Sequence, residues 1–139
     1  MFEDFEKIMQ FYEGHIKEMW YDEGCFEVMH LISRFTSEDW GKIYIVLSSK
    51  TDVWKDMLAY CMYNSSNKNH LKVLLQLSKT NNERLFRDVV ASLVKFDLRE
   101  IEEREELMNR IEQLIPSSDP IAKVIFMRFL EKNTIEGRV

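Results

Sequence analysis

The sequence predicts an all-α fold of about eight helices, arranged as antiparallel helical hairpins stacked into a short α-solenoid. Three observations carry that prediction. Apolar residues recur at i, i+3, i+4 and i+7 with few gaps, the spacing of one face of a helix. Gly and Pro number only 4 and 2, too few for the turns of a strand-rich chain. Short polar residues that cap helices fall between the apolar stripes. Apolar residues make up 45% of the 139, an ordinary globular share. A chain of this length buries a sufficient core without metal or disulfide.

The elements follow in order. Phe5, Ile8, Met9 and Tyr12 form the stripe of a helix over 3–18, and Cys25, Val28, Met29 and Ile32 that of one over 22–35. Thr36 and Ser37 open a helix over 37–48, with Trp40, Ile43, Tyr44 and Leu47 on its apolar face. Thr51 and Asp52 open 52–63, with Trp54, Met57, Leu58 and Cys61. Asn67 precedes a Leu-rich helix over 68–79, and Asn81 precedes 82–96, with Phe86, Val89, Val90 and Leu93. Asp97 marks the start of 98–115. Ser118, Asp119 and Pro120 mark the start of 119–132. The short connections predict antiparallel neighbours. The segment from Asn133 to Val139 is expected to be loose. Residues 1–132 thus read as a single helical domain: an acidic pair of helices at 1–35, two hairpins at 37–96 and a capping hairpin at 97–132.

An internal repeat supports the hairpins. Trp54-Lys55-Asp56-Met57-Leu58-Ala59-Tyr60-Cys61 aligns with Phe86-Arg87-Asp88-Val89-Val90-Ala91-Ser92-Leu93, and Leu47-Ser48-Ser49-Lys50-Thr51 resembles Leu77-Ser78-Lys79-Thr80. One such unit cannot bury its own stripe, so neighbours must stack.

The residues offer no catalytic constellation, and the expectation is a non-enzyme without metal or cofactor. The histidines, His15, His30 and His70, lack the three- or four-residue spacing of helical metal ligands, and Cys25 and His30 stand five apart. The glycines are scattered, with no phosphate loop and no Gly-x-Ser-x-Gly elbow. Glu102, Glu103, Glu105 and Glu106 alternate with Arg99, Arg104 and Arg110, which reads as a solvated, ion-paired helix face. Cys25 and Cys61 sit inside apolar stripes and read as buried hydrophobes. Tyr21, Tyr63 and Phe96 fall at expected helix ends, where an aromatic either plugs a hairpin or meets a partner. No apolar run approaches the roughly 20 residues of a membrane span. The start is acidic rather than signal-like, so a cytoplasmic location is expected.

Charge is distributed unevenly. The net −5 comprises −7 over residues 1–39, +5 over 40–96 and −3 over 97–139. An acidic first third repels nucleic acid and attracts a basic partner. The candidate binding residues are therefore Asp22, Glu23 and Glu27, at the start of the second expected helix, with Glu38 and Asp39 at the start of the third. Acids in first turns also complement the helix dipole, but that does not account for the excess over the whole third.

The segment Glu83-Arg84-Leu85-Phe86-Arg87-Asp88-Val89-Val90-Ala91-Ser92-Leu93 resembles the second helix of a HEAT-like repeat, a likeness that covers about residues 37–96. The layout as a whole is an acidic helical start, then Ser37-Glu38-Asp39-Trp40, then Trp54-Lys55-Asp56-Met57-Leu58-Ala59-Tyr60, then a Leu-rich helix at 71–77. It resembles small bacterial immunity proteins of polymorphic-toxin and contact-dependent inhibition systems. The resemblance implies a short, non-enzymatic cytoplasmic protein that blocks one cognate toxin domain, frequently a nuclease. It carries no binding residues over. The alternative is a HEAT-like adaptor that recognises an acidic partner through Lys42, Lys55, Lys72 and Arg87.

Overall fold

The computed structural model describes residues 1–15, 17–63 and 65–136. Among these the chain is all-helical, in eight helical runs: α1 (Phe2–Glu13), α2 (17–32), α3 (Ser37–Val46), α4 (Asp52–Cys61), α5 (Lys68–Leu77), α6 (Glu83–Leu93), α7 (Arg104–Leu114) and α8 (Pro120–Glu136). Single turns of 3-10 helix, Leu47–Ser49 and Ile115–Ser117, extend α3 and α7. The chain divides into two compact units, Met1–Met62 and Tyr63–Val139.

Local chemistry sets most helix starts. Thr36 and Asp39 form a reciprocal capping box: the Thr36 hydroxyl accepts from the Asp39 N–H at 3.2 Å, and the Asp39 carboxylate accepts from the Thr36 N–H at 2.9 Å. Thr51 accepts from the Trp54 N–H, Asn67 from Asn69, Asn82 from Leu85, and Asp119 from Ala122. The sixth helix is thus capped by Asn82 rather than Asn81.

In the first unit, α1, the second half of α2 and α4 pack on one another, and α3 lies against α1. The main packing partners of α4 are α1 and α2 rather than α3, which immediately precedes it. Edge-to-face aromatic rings tie the core. Phe5 meets Phe35 at 5.5 Å and Trp54 at 5.8 Å, and Phe35 meets Trp40 at 5.2 Å. Met9, Val28, Ile43 and Leu58 are fully buried in the same unit.

In the second unit, α5 packs on α6, and α8 packs on both α6 and α7. Phe86, Val89, Val90 and Leu93 of α6 are buried with Phe126 and Phe129 of α8. Two long cations close helix ends whose last carbonyls lack partners. Arg110 donates to the Ser78 and Thr80 carbonyls past α5, at 2.8 and 2.6 Å, while its guanidinium lies 3.9 Å from the Phe86 ring centre. Lys132 donates to the Val94 and Phe96 carbonyls past α6.

Several expected boundaries are corrected. The first helix ends at Glu13 with Gly14 at its cap, not at residue 18, and the second begins at Lys17, not at 22. Ile16 lies outside the described residues. The seventh helix begins at Arg104 rather than 98. Asp97 accepts from the Arg99 N–H at 3.1 Å and from its guanidinium at 2.7 Å, which makes a local turn instead of a helix cap. Those hydrogen bonds from Arg99 hold the Asp97 carboxyl down to about 2. Phe96 and Leu98, on either side, point into the core. The expected loose tail is helical through Glu136, and Asn133 is buried, its side-chain amide donating to the Phe129 carbonyl at 2.8 Å. Gly137, Arg138 and Val139 lie outside the described residues.

Candidate protein-binding face

The division into units sharpens the charge pattern. Residues 1–62 hold 12 acids and 6 bases, a net −6, whereas 63–139 hold 12 acids and 13 bases, a net +1. The surplus negative charge therefore belongs to the first unit. The question is which of its carboxylates are neutralised within the fold.

The α2 run is built around a π-turn, Trp20–Gly24, in which the Cys25 N–H reaches back five residues to the Trp20 carbonyl. The cause lies in packing. Trp20 and Cys25 are five residues apart and both buried, so the extra residue of a π-turn is needed to face both inward. Gly24 makes the turn possible. A Cβ there would stand 2.8 Å from Trp20 Cε3 and from Cδ2 and Cγ of Tyr12, so the Tyr12 ring lies directly on the bare backbone. The same five-residue step separates Tyr21 from Phe26 on the outward side, and both are exposed, at 43% and 61%. The Tyr21 ring meets the Tyr60 ring of α4 edge-on at 5.0 Å, and Tyr60 is also 43% exposed.

Asp22, Glu23 and Glu27 are brought together on this run, all exposed. Glu23 accepts from the Tyr12 hydroxyl at 3.2 Å. Burial raises the Tyr12 hydroxyl above its ordinary value, and the Glu23 hydrogen bond and the charges of Glu27 and Glu23 raise it further. Among the described residues no Lys or Arg comes within ion-pairing distance of Glu18, Asp22, Glu23 or Glu27.

The other two sequence candidates are placed differently. Glu38 is exposed at the first turn of α3 and stands 3.9 Å from Lys42, which also holds Glu3 at 3.1 Å. Asp39 is buried and employed within the fold. Besides the capping box, its carboxylate accepts from the Phe2 N–H at 3.2 Å, and the hydrogen bond from the Thr36 N–H, its largest influence, lowers its carboxyl. Glu6 likewise pairs with Lys50 at 2.7 Å, and Lys50 lies over the Trp54 ring at 5.2 Å. Glu3, Glu6 and Glu38 are thus answered by lysines, whereas among the described residues Asp22, Glu23 and Glu27 have none within ion-pairing distance.

The remaining candidates are also placed. Phe96 plugs the core, whereas Tyr21 and Tyr63 are exposed. Cys25 and Cys61 are free and buried, with the Cys61 thiol 3.7 Å from the Cys25 carbonyl, and burial pushes both thiols up. Of the cations considered for an acidic partner, Lys42 is paired with Glu3, and Arg87 with Asp88 at 3.0 Å. Among the described residues no three His, Cys, Asp or Glu side chains are grouped to hold a metal. No described helix is long and apolar enough to cross a membrane. A cleft of about 540 Å³ in the second unit is bordered by Arg84, Arg87, Ser117 and Asp119, but Asp119 already occupies the first-turn N–H of α8 that an anion would need. Sequence reasoning did not find Phe26 and Tyr60. The signal was present in the five-residue spacing of Trp20 and Cys25, which breaks the helical stripe. It also missed a second apolar face on α8, where Ile121, Val124 and Met127 are exposed. Comparison of the chain with known protein families, with characterised proteins and with solved structures finds no match.

Proposed function

We infer that the chain is a protein-binding module that captures a basic protein surface with its first unit, and that it serves as an immunity protein. In this reading it neutralises one toxin domain, a nuclease, in the cytoplasm by covering the active site or nucleic-acid groove. The observation that carries it is the set of exposed carboxylates on α2, Asp22, Glu23 and Glu27, with no Lys or Arg within ion-pairing distance among the described residues. Nuclease surfaces are basic because they hold phosphates, and a rigid array of carboxylates steers association with such a surface. Glu38 extends the same charge from the first turn of α3. Asp39 is excluded from direct contact because its oxygens are taken up by the capping box and the Phe2 N–H. The layout of the sequence, similar to small immunity proteins, supplies the choice of toxin over other basic partners.

The test is co-expression with the polypeptide encoded by the neighbouring gene, scored by growth and co-purification. Growth arrest by the neighbour, relieved by this chain in a one-to-one complex, is the expected result. A neighbour without toxicity that forms no complex removes the immunity reading.

A further inference from the structure

We propose that the exposed aromatic residues beside the π-turn, Tyr21, Phe26 and Tyr60, form a platform that seats an arginine side chain of the partner. The proposal rests on the reading that this unit takes a basic protein, and it names the chemistry of the anchoring contact. Carboxylates accelerate encounter, but contacts with exposed ion pairs contribute little to holding a complex. Persistence comes from a few desolvated anchors, in which Tyr and Arg are over-represented. Tyr21 and Tyr60 meet edge-on at 5.0 Å, and each residue stays 43% exposed. Phe26 and the carboxylates Asp22, Glu23 and Glu27 are all exposed on the same run.

Arginine fits this combination better than lysine. Its guanidinium stacks flat on aromatic rings while its N–H groups point sideways to carboxylates, and it is the less strongly hydrated cation. Within the chain, Arg110 lies 3.9 Å from the Phe86 ring centre while its N–H groups donate to the Ser78 and Thr80 carbonyls. Charge complementarity selects the occupant. The exposed carboxylates of the same run, Glu18, Asp22, Glu23 and Glu27, have no Lys or Arg within ion-pairing distance among the described residues, so an anionic or neutral partner leaves them unanswered.

The experiment is an NMR titration of the full chain at low salt with acetyl-Gly-Arg-Gly-Arg-Gly-amide. Peptides with lysine or citrulline in place of arginine serve as comparisons. The expected result is that the arginine peptide shifts the ring signals of Tyr21, Phe26 and Tyr60. Tyr21→Ala and Tyr60→Ala each weaken its binding about two- to fivefold, the range of an exposed cation–π contact, while Tyr21→Phe and Tyr60→Phe retain it. Citrulline abolishes binding. If the arginine peptide shifts only Asp22, Glu23 and Glu27 and ignores the alanine variants, the platform is refuted while the charge reading stands. Equal binding of the lysine peptide also refutes the arginine seat. If no basic peptide produces shifts, both fail. If the ring signals move on concentrating the protein alone, the occupant is a second copy and the proposal is overturned.

Discussion

Gly24 and Gly41 both sit inside helical runs, and replacing each by alanine should change stability in opposite directions. In a helix interior Ala is favoured over Gly by about 1 kcal/mol, because Gly loses more backbone freedom on folding. At Gly41 a Cβ would meet nothing within 4 Å, so that gain should appear nearly whole, as roughly 0.5–1 kcal/mol of stabilisation. At Gly24 the added carbon would lie 2.8 Å from atoms of two buried rings, where about 3.5–4.0 Å is the comfortable separation. Neither Trp20 nor Tyr12 sits at a flexible side-chain end, so the strain falls on the contact between α1 and the π-turn. Overpacking of that kind costs about 1–3 kcal/mol, and three simultaneous contacts place this case near the top. After the helix-propensity gain, Gly24→Ala should be destabilised by about 1–2 kcal/mol. The assay is urea denaturation followed by tryptophan fluorescence. Trp20, Trp40 and Trp54 all lie in the first unit, so the signal reports that unit alone. A Gly24→Ala protein as stable as the parent would show that the Tyr12 ring does not need the bare backbone, and the explanation of the π-turn would be wrong.

Asp39→Ala should cost about 1–2 kcal/mol in the same assay, since it removes one half of a capping box and the acceptor for the Phe2 N–H; a neutral result would return Asp39 to the list of partner-facing acids. Arg110→Lys should destabilise the second unit by about 1–2 kcal/mol, because a lysine cannot bridge the Ser78 and Thr80 carbonyls while stacking on Phe86, and hydrogen exchange of the amides in α5 should rise accordingly. His70 is buried, and burial pushes its imidazole down to about 4 from an unfolded value of 6.5. Protonation therefore favours the unfolded chain. The second unit should hold full stability above pH 6.5 and lose about 3 kcal/mol as pH falls to 4, with a flatter profile in His70→Gln, followed by circular dichroism in urea.

The helical class and most of the core were legible because they rest on local rules. The stripe Phe86, Val89, Val90 and Leu93 is buried as its spacing demands, and Thr36, Thr51 and Asn67 cap the helices they precede. What escaped the sequence was set by contacts between elements. The π-turn turns Trp20 and Cys25 inward together and lets Tyr12, on another helix, lie against Gly24. Asp97 makes a turn instead of a cap because Phe96 and Leu98 on either side are both drawn into the core. Residues 133–136 continue α8, where Lys132 reaches carbonyls past α6 and Asn133 is buried, its amide donating to the Phe129 carbonyl one turn back. Among the acids, the sequence could mark a charge excess but could not tell Asp39, consumed by a helix cap, from Asp22, Glu23 and Glu27. Nor could it show that Lys42 and Lys50 neutralise one side of the unit.

The most direct measurement is a comparison of two triple charge reversals in the toxin-rescue assay, with complex formation followed by surface binding kinetics. Reversal of Asp22, Glu23 and Glu27 to lysine should abolish rescue and slow association steeply, with the salt dependence largely lost. Reversal of Glu3, Asp4 and Asp52, exposed acids of the same unit, should change association by only a few-fold. Equal losses from the two triples, or full rescue by the first, would contradict the claim that the carboxylates of the π-turn form the binding face.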